Sequence, residues 1–130
     1  MIETIQPEGW TSPKGYANGM RVDGRLYIGG QIGWNAAQVF EAHDFVGQME
    51  QALANIVAIV RAAGGEPHHI TRLTWYVIDK KEYLARQREV GEAYRRVMGR
   101  HFPVMTMVVV AGLIEDEALI EIEASAELGA

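Results

Sequence analysis

The segment His101–Leu113, HFPVMTMVVVAGL, decides how this chain folds. Pro103 starts an extended run, and Val104 to Val110 holds one hydroxyl, Thr106, and no charge. A strand with one face in water normally alternates apolar and polar residues. This one does not, so it predicts a strand with two apolar faces, and both need a cover.

The flanks supply part of that cover. Downstream, Glu115-Asp116-Glu117 predicts a turn into a last strand, Ala118 to Leu128. Ile120, Ile122, Ala124 and Ala126 point one way there, and Glu121, Glu123, Ser125 and Glu127 the other. Upstream, Tyr83, Val90, Tyr94 and Val97 carry a helix from about Lys81 to Met98, stopped by Gly99. The β-rich run Ile70 to Asp79 (ITRLTWYVID) precedes it as a strand.

A longer helix is expected from Phe45 to Ala63, capped by Asp44 and ended by Gly64-Gly65. Its apolar positions Phe45, Met49, Leu53, Ile56, Val60 and Ala63 keep helical spacing. Further back, Met20 to Val22 and Arg25 to Gly29 flank Asp23-Gly24, a strong hairpin signal. Gly30 to Ala42 reads as a loop with a short strand near Val39, and residues 1 to 19 as an irregular lead-in. The whole predicts one α+β domain over residues 1–130, with two helices packed on one face of a mixed sheet. Two helices cover one face only. The apolar second face of Val104 to Val110 therefore predicts a homo-oligomer, with clefts where subunits meet.

Composition excludes several functions. Cysteine is absent, which removes disulfides, thiolate catalysis and Cys-ligated zinc, and suits a cytoplasmic location. The start, MIETIQPEGW, lacks the apolar core of a secretory signal. No apolar run reaches the roughly 20 residues that span a bilayer. Net charge is −5, with 17 acids against 12 Lys and Arg, which argues against a nucleic-acid partner. Arg86, Arg88, Arg95, Arg96 and Arg100 are interleaved with Glu89 and Glu92 and read as a solvated helix face. His68 and His69 point to opposite sides and have no third partner at a suitable spacing, so no metal site is expected.

Five segments carry a resemblance that spans nearly the whole chain: RLYIGGQIG (25–33), QALANIVAIVRAAGG (51–65), ITRLTWYVID (70–79), FPVMTMVVVAGL (102–113) and ALIEIEASAEL (118–128). The chain resembles the RidA/YjgF family of enamine/imine deaminases, once labelled L-PSP endoribonucleases or translation inhibitors. The resemblance implies a chorismate-mutase-like fold, a homotrimer, and an active cleft at each subunit boundary. It implies hydrolysis without a cofactor.

It also implies roles. Glu121 falls on the family glutamate that positions or activates the attacking water. Tyr16, Gly30 and Gln31 fall on positions that hold substrate, the last two through backbone amides. Thr106 keeps a hydroxyl where the family has serine. Met105 stands where deaminating members carry the arginine that pairs with the substrate carboxylate. Losing such a charge-assisted pair costs roughly 1.5–3 kcal/mol. A substrate other than the usual small 2-imino acid follows, with Arg72 as another cation on a strand. Gln87 is the nearest candidate for the family's helical asparagine.

Gly33, Trp34 and Trp75 look private to this chain. With Met105, the two tryptophans can form an aromatic and thioether pocket for a flat or larger ligand. Two readings stand side by side: a hydrolytic deaminase of a reactive enamine or imine, and a non-catalytic binding or regulatory trimer. A ribonuclease comes third, opposed by the acidic balance and by the lack of an obvious base pair of histidines.

Overall fold

The computed structural model describes residues 1–129. Six strands form one mixed sheet: β1 (Ile2–Ile5), β2 (Gly19–Val22), β3 (Arg25–Ile32), β4 (Ile70–Val77), β5 (Val104–Val109) and β6 (Ile120–Glu127). Their order across the sheet is β1-β2-β3-β6-β4-β5. Only the β4–β5 pair is parallel among these strands. A parallel neighbour needs a crossover, and the helices α2 (Lys80–Ala85) and α3 (Gln87–Met98) provide it. The long helix α1 (Phe45–Ala62) packs on β3, β6 and α3. No helix among the described residues is long and apolar enough to cross a membrane.

Local chemistry explains the elements. Asp44 accepts a hydrogen bond from the Gly47 amide at 3.2 Å and caps α1. Asp23 sits at φ 54° in the β2–β3 turn, a conformation that aspartate tolerates better than most residues. The expected alternation of the last strand holds: Ile120, Ile122, Ala124 and Ala126 are buried, while Glu121, Glu123 and Ser125 are half-buried on the other face. A shared core of Leu26, Leu53, Ile56, Leu73, Trp75 and Ile122 lies between sheet and helices.

Four expectations change. Residues 2–5 are a strand paired with β2, not part of an irregular lead-in. β3 runs on to Ile32 through a register shift between Ile28 and Gln31, so Gly29-Gly30 is a bulge inside a strand. No strand forms near Val39. The helix expected from Lys81 to Met98 breaks at Arg86 (φ −117°, ψ 21°) into α2 and α3.

Two buried amides tie α1 to its surroundings. Gln48 Nε2 donates to the Ala42 and Glu117 carbonyls, and its Oε1 accepts from the Leu119 amide at 2.8 Å. Gly33 packs on this side chain so closely that a Cβ would sit 2.6 Å from Gln48 Cβ, so Gly33 serves helix–sheet contact. Asn55 Nδ2 donates to the carbonyls of Ile32 (3.1 Å) and Trp34 (2.8 Å). Asn55→Leu leaves those two carbonyls unpaired. A loss of about 2 kcal/mol is expected, read by calorimetry as a Tm about 5–10 °C lower. An unchanged Tm would show that the amide is dispensable.

The outermost strand answers the question raised by Val104 to Val110. β5 is the last strand of the sheet, and both its faces are open: Val104 is 64% exposed, Met105 49% and Val108 40%. The helices leave even their own side of β5 partly uncovered, which is more than the sequence predicted.

Candidate functional site

Register places the candidate residues on two faces. Leu73, Trp75 and Val77 of β4 are buried towards the helices, so their β5 partners Met105, Met107 and Val109 share that side. Arg72, Thr74 and Tyr76 take the opposite, open side with Val104, Thr106 and Val108. Tyr76 also pairs with Glu121, and Thr74 with Glu123, which puts both glutamates on the open face. One copy of the chain therefore does not bring Met105 and Glu121 together.

On the open face, Glu121 lies against the bulge at Gly30. A Cβ there would overlap the Glu121 carboxylate, so any larger residue would push that side chain out of its present place. Burial raises the Glu121 pKa above the ordinary carboxylate value, and the nearby charge of Glu123 adds to the rise. Glu123 is engaged by a short hydrogen bond from the Tyr76 hydroxyl, and this bond, ahead of burial, raises the tyrosine pKa. Glu121 makes no hydrogen bond with a described side chain. It is a half-buried carboxylate free to take a proton.

Gln31 differs from its neighbour. Its side chain is buried on the core side and donates to Asn18 Oδ1 (3.2 Å) and to the Gly29 carbonyl (3.1 Å). Those bonds brace the bulge that carries Gly30, leaving only its backbone for a ligand. Tyr16 is exposed in the segment before β2.

On the helix side, Met105 lines a cavity of about 330 Å³ between α3 and the β4–β5 edge. Leu73 and Trp75 lie on its sheet side, and Gln87, Gly91, Tyr94 and Arg95 on its helix side. Tyr94 stacks on Phe102 with ring centres 5.5 Å apart and an interplanar angle of 11°. The Tyr94 hydroxyl donates to the His101 carbonyl at 2.6 Å, and burial pushes its pKa up to about 12. His101 Nε2 donates in turn to the Ile70 carbonyl at 2.6 Å, which fixes the chain as it enters β5. Tyr83 meets Trp75 edge to face at 6.5 Å.

Trp75 is 2% exposed, and its indole N–H is the one buried polar side-chain atom without a hydrogen-bond partner among the described residues. It belongs to the core and borders the cavity at once. Trp34 lies elsewhere: it packs on Phe40 with centres 5.9 Å apart and borders a separate hollow with Glu115, Asp116 and Glu117. Within one copy Trp34 therefore does not share a pocket with Trp75 and Met105, because Trp34 follows β3 and Met105 lies at the far edge of the sheet. Arg72 is on the open face, opposite to Met105, so within one chain it does not replace the missing cation.

Sequence reading named Met105, Trp75 and Gln87 for this region and missed Tyr83, Gly91, Tyr94 and Arg95. The available signal was the spacing 87, 91, 95 on one helix stripe. Gly91 itself was a clue, since glycine inside a helix costs about 1 kcal/mol against alanine.

Residues 10–128 match the family model described as endoribonuclease L-PSP. The 2-iminobutanoate/2-iminopropanoate deaminase of Salmonella typhimurium is 33% identical over 130 residues, covering 97% of this chain and 98% of that protein. A RutC family protein of Pyrococcus horikoshii is 32% identical over 129 residues, with 97% and 98% covered. The crystal structure of RidA from an Antarctic Psychrobacter superposes with a TM-score of 0.82 at 27% identity, over 96% of this chain and 98% of that one.

Proposed function

From a chain that belongs to the endoribonuclease L-PSP family, the RidA/YjgF proteins, we propose a hydrolytic deaminase of a reactive enamine or imine. It works as a homotrimer whose clefts join the Glu121 face of one copy to the Met105 cavity of the next. The single observation that carries this reading is Glu121, a half-buried carboxylate with a raised pKa set against Gly30. The name of the Salmonella relative supports the same chemistry.

The reaction needs no cofactor. Glu121 takes a proton from a water, whose oxygen bonds to the carbon of the protonated imine while the C=N pair moves onto nitrogen, giving a neutral carbinolamine. Glu121 then returns its proton to nitrogen. The C–N bond breaks and ammonia leaves as Glu121 takes the hydroxyl proton and the carbonyl forms. Backbone amides near Gly30, the Thr106 hydroxyl and Tyr16 orient the substrate.

The opposed faces are the argument for assembly. Glu121 and the cavity serve one substrate only if a second copy brings its open face to the first. That face carries the exposed apolar residues Met20, Tyr27, Val104 and Val108, as a surface awaiting a partner does.

Met105 favours a substrate larger or more aromatic than 2-aminoacrylate, because a thioether gives a carboxylate nothing to pair with. Met105→Arg is expected to improve kcat/KM for small 2-imino acids about ten- to a hundredfold. No gain would place the family carboxylate site elsewhere.

The same methionine motivates a second reading, a binding or regulatory trimer without turnover. Ammonia release from enamines generated in situ separates the two. Release that depends on Glu121 supports the enzyme; thermal stabilisation by the same compounds without ammonia supports binding alone.

A further inference from the structure

The arginines from Arg86 to Arg96 are not equivalent. Arg86 pairs with Glu82, Arg88 with Glu92, and Arg96 with Glu50 through two contacts, at 3.1 and 3.0 Å. Arg95 makes no ion pair with any described residue, and it borders the Met105 cavity. Its guanidinium lies back over Gly91, where a Cβ would stand 3.2 Å from Nη1. A glycine at this helix position gives the charge its place at the cavity.

Two further features of the cavity call for a ligand. Its sheet side and walls are apolar and aromatic. A volume of about 330 Å³ suits a single substituted ring with a short tail.

The geometry points to a site for an aromatic carboxylate: Arg95 pairs with the carboxylate, and the ring lies against Trp75 and Met105. Arg95 thus supplies from the helix the cation absent at position 105. This assignment deepens the deaminase reading and rests on it for the substrate, a 2-imino acid with an aromatic side chain. Binding itself does not depend on turnover.

The test is calorimetric titration with phenylpyruvate, which carries the carboxylate and the ring. Wild type binds it. Arg95→Gln weakens binding roughly ten- to a hundredfold, and Arg95→Lys restores part of the loss. Equal affinity in wild type and Arg95→Gln, or no binding to wild type, overturns the assignment. The deaminase reading is judged separately by ammonia. Binding through Arg95 without ammonia keeps the site and removes the reaction, whereas ammonia release indifferent to Arg95→Gln keeps the reaction and removes the site.

Discussion

Glu121→Gln is expected to lower ammonia release by about a hundred- to ten-thousandfold, the range for removing a positioned proton-transfer group. Glutamine keeps the shape beside Gly30 but cannot take a proton from water. Two further readouts distinguish this from structural damage. Burial, with the charge of Glu123, raises the Glu121 pKa, so the wild-type rate should fall on acidification with a midpoint above the ordinary carboxylate value. Stability has the opposite dependence. A carboxyl whose folded pKa exceeds its unfolded value holds its proton more tightly in the folded state, so stability declines as pH rises from the unfolded to the folded pKa. Above that window the penalty is complete. Glu121→Gln removes it, and at neutral pH the variant should melt higher than wild type while turning over less. A variant with wild-type rates would take Glu121 out of the chemistry.

Val108→Asp should dissolve the proposed homotrimer. Val108 stands on the open face in one rung with Tyr76 and Glu121, and it is 40% exposed in the single chain. If copies meet on this face, the new carboxylate is buried without a partner and near Glu121 and Glu123 of its own sheet. An unpaired buried charge costs several kcal/mol, repeated in every copy. Dissociation should therefore strengthen by roughly a thousandfold or more. Sedimentation at micromolar concentration then gives a species of the 14.4 kDa chain mass, with ammonia release lost alongside. An unchanged oligomer would show that another surface holds the copies together.

The legible parts of the fold were those governed by neighbours in sequence. Asp23-Gly24 named its hairpin, Asp44 its cap, and the alternation from Ile120 to Glu127 its two faces, because turns, caps and pleats are set within a few residues. The strand Ile2–Ile5 escaped notice because its pairing with β2 is tertiary and its own run is only four residues long. The bulge at Gly29-Gly30 read as a loop, since glycines signal loops and bulges alike. The break at Arg86 left the apolar periodicity intact and so gave no sign.

For the site, the family resemblance pointed to Glu121 and Met105 but did not say on which sides of the sheet they lie. That depends on strand order: β6 and β5 both flank β4, and the register sends the two side chains opposite ways. Arg95 was read as one of several solvated cations. Only the pairing of Arg86, Arg88 and Arg96 with glutamates, and the packing of α3 over β4 and β5, set it apart.

The central claim, that each working site joins Glu121 of one copy to the cavity of another, is tested most directly by mixing two disabled chains. Glu121→Gln removes the base, and Gly91→Phe fills the cavity from α3. Co-expressed in equal amounts, random trimers should regain about a quarter of wild-type activity per site, because that fraction of boundaries pairs an intact base with an intact cavity. No activity beyond that of the separate variants would place base and cavity in one chain and contradict the account.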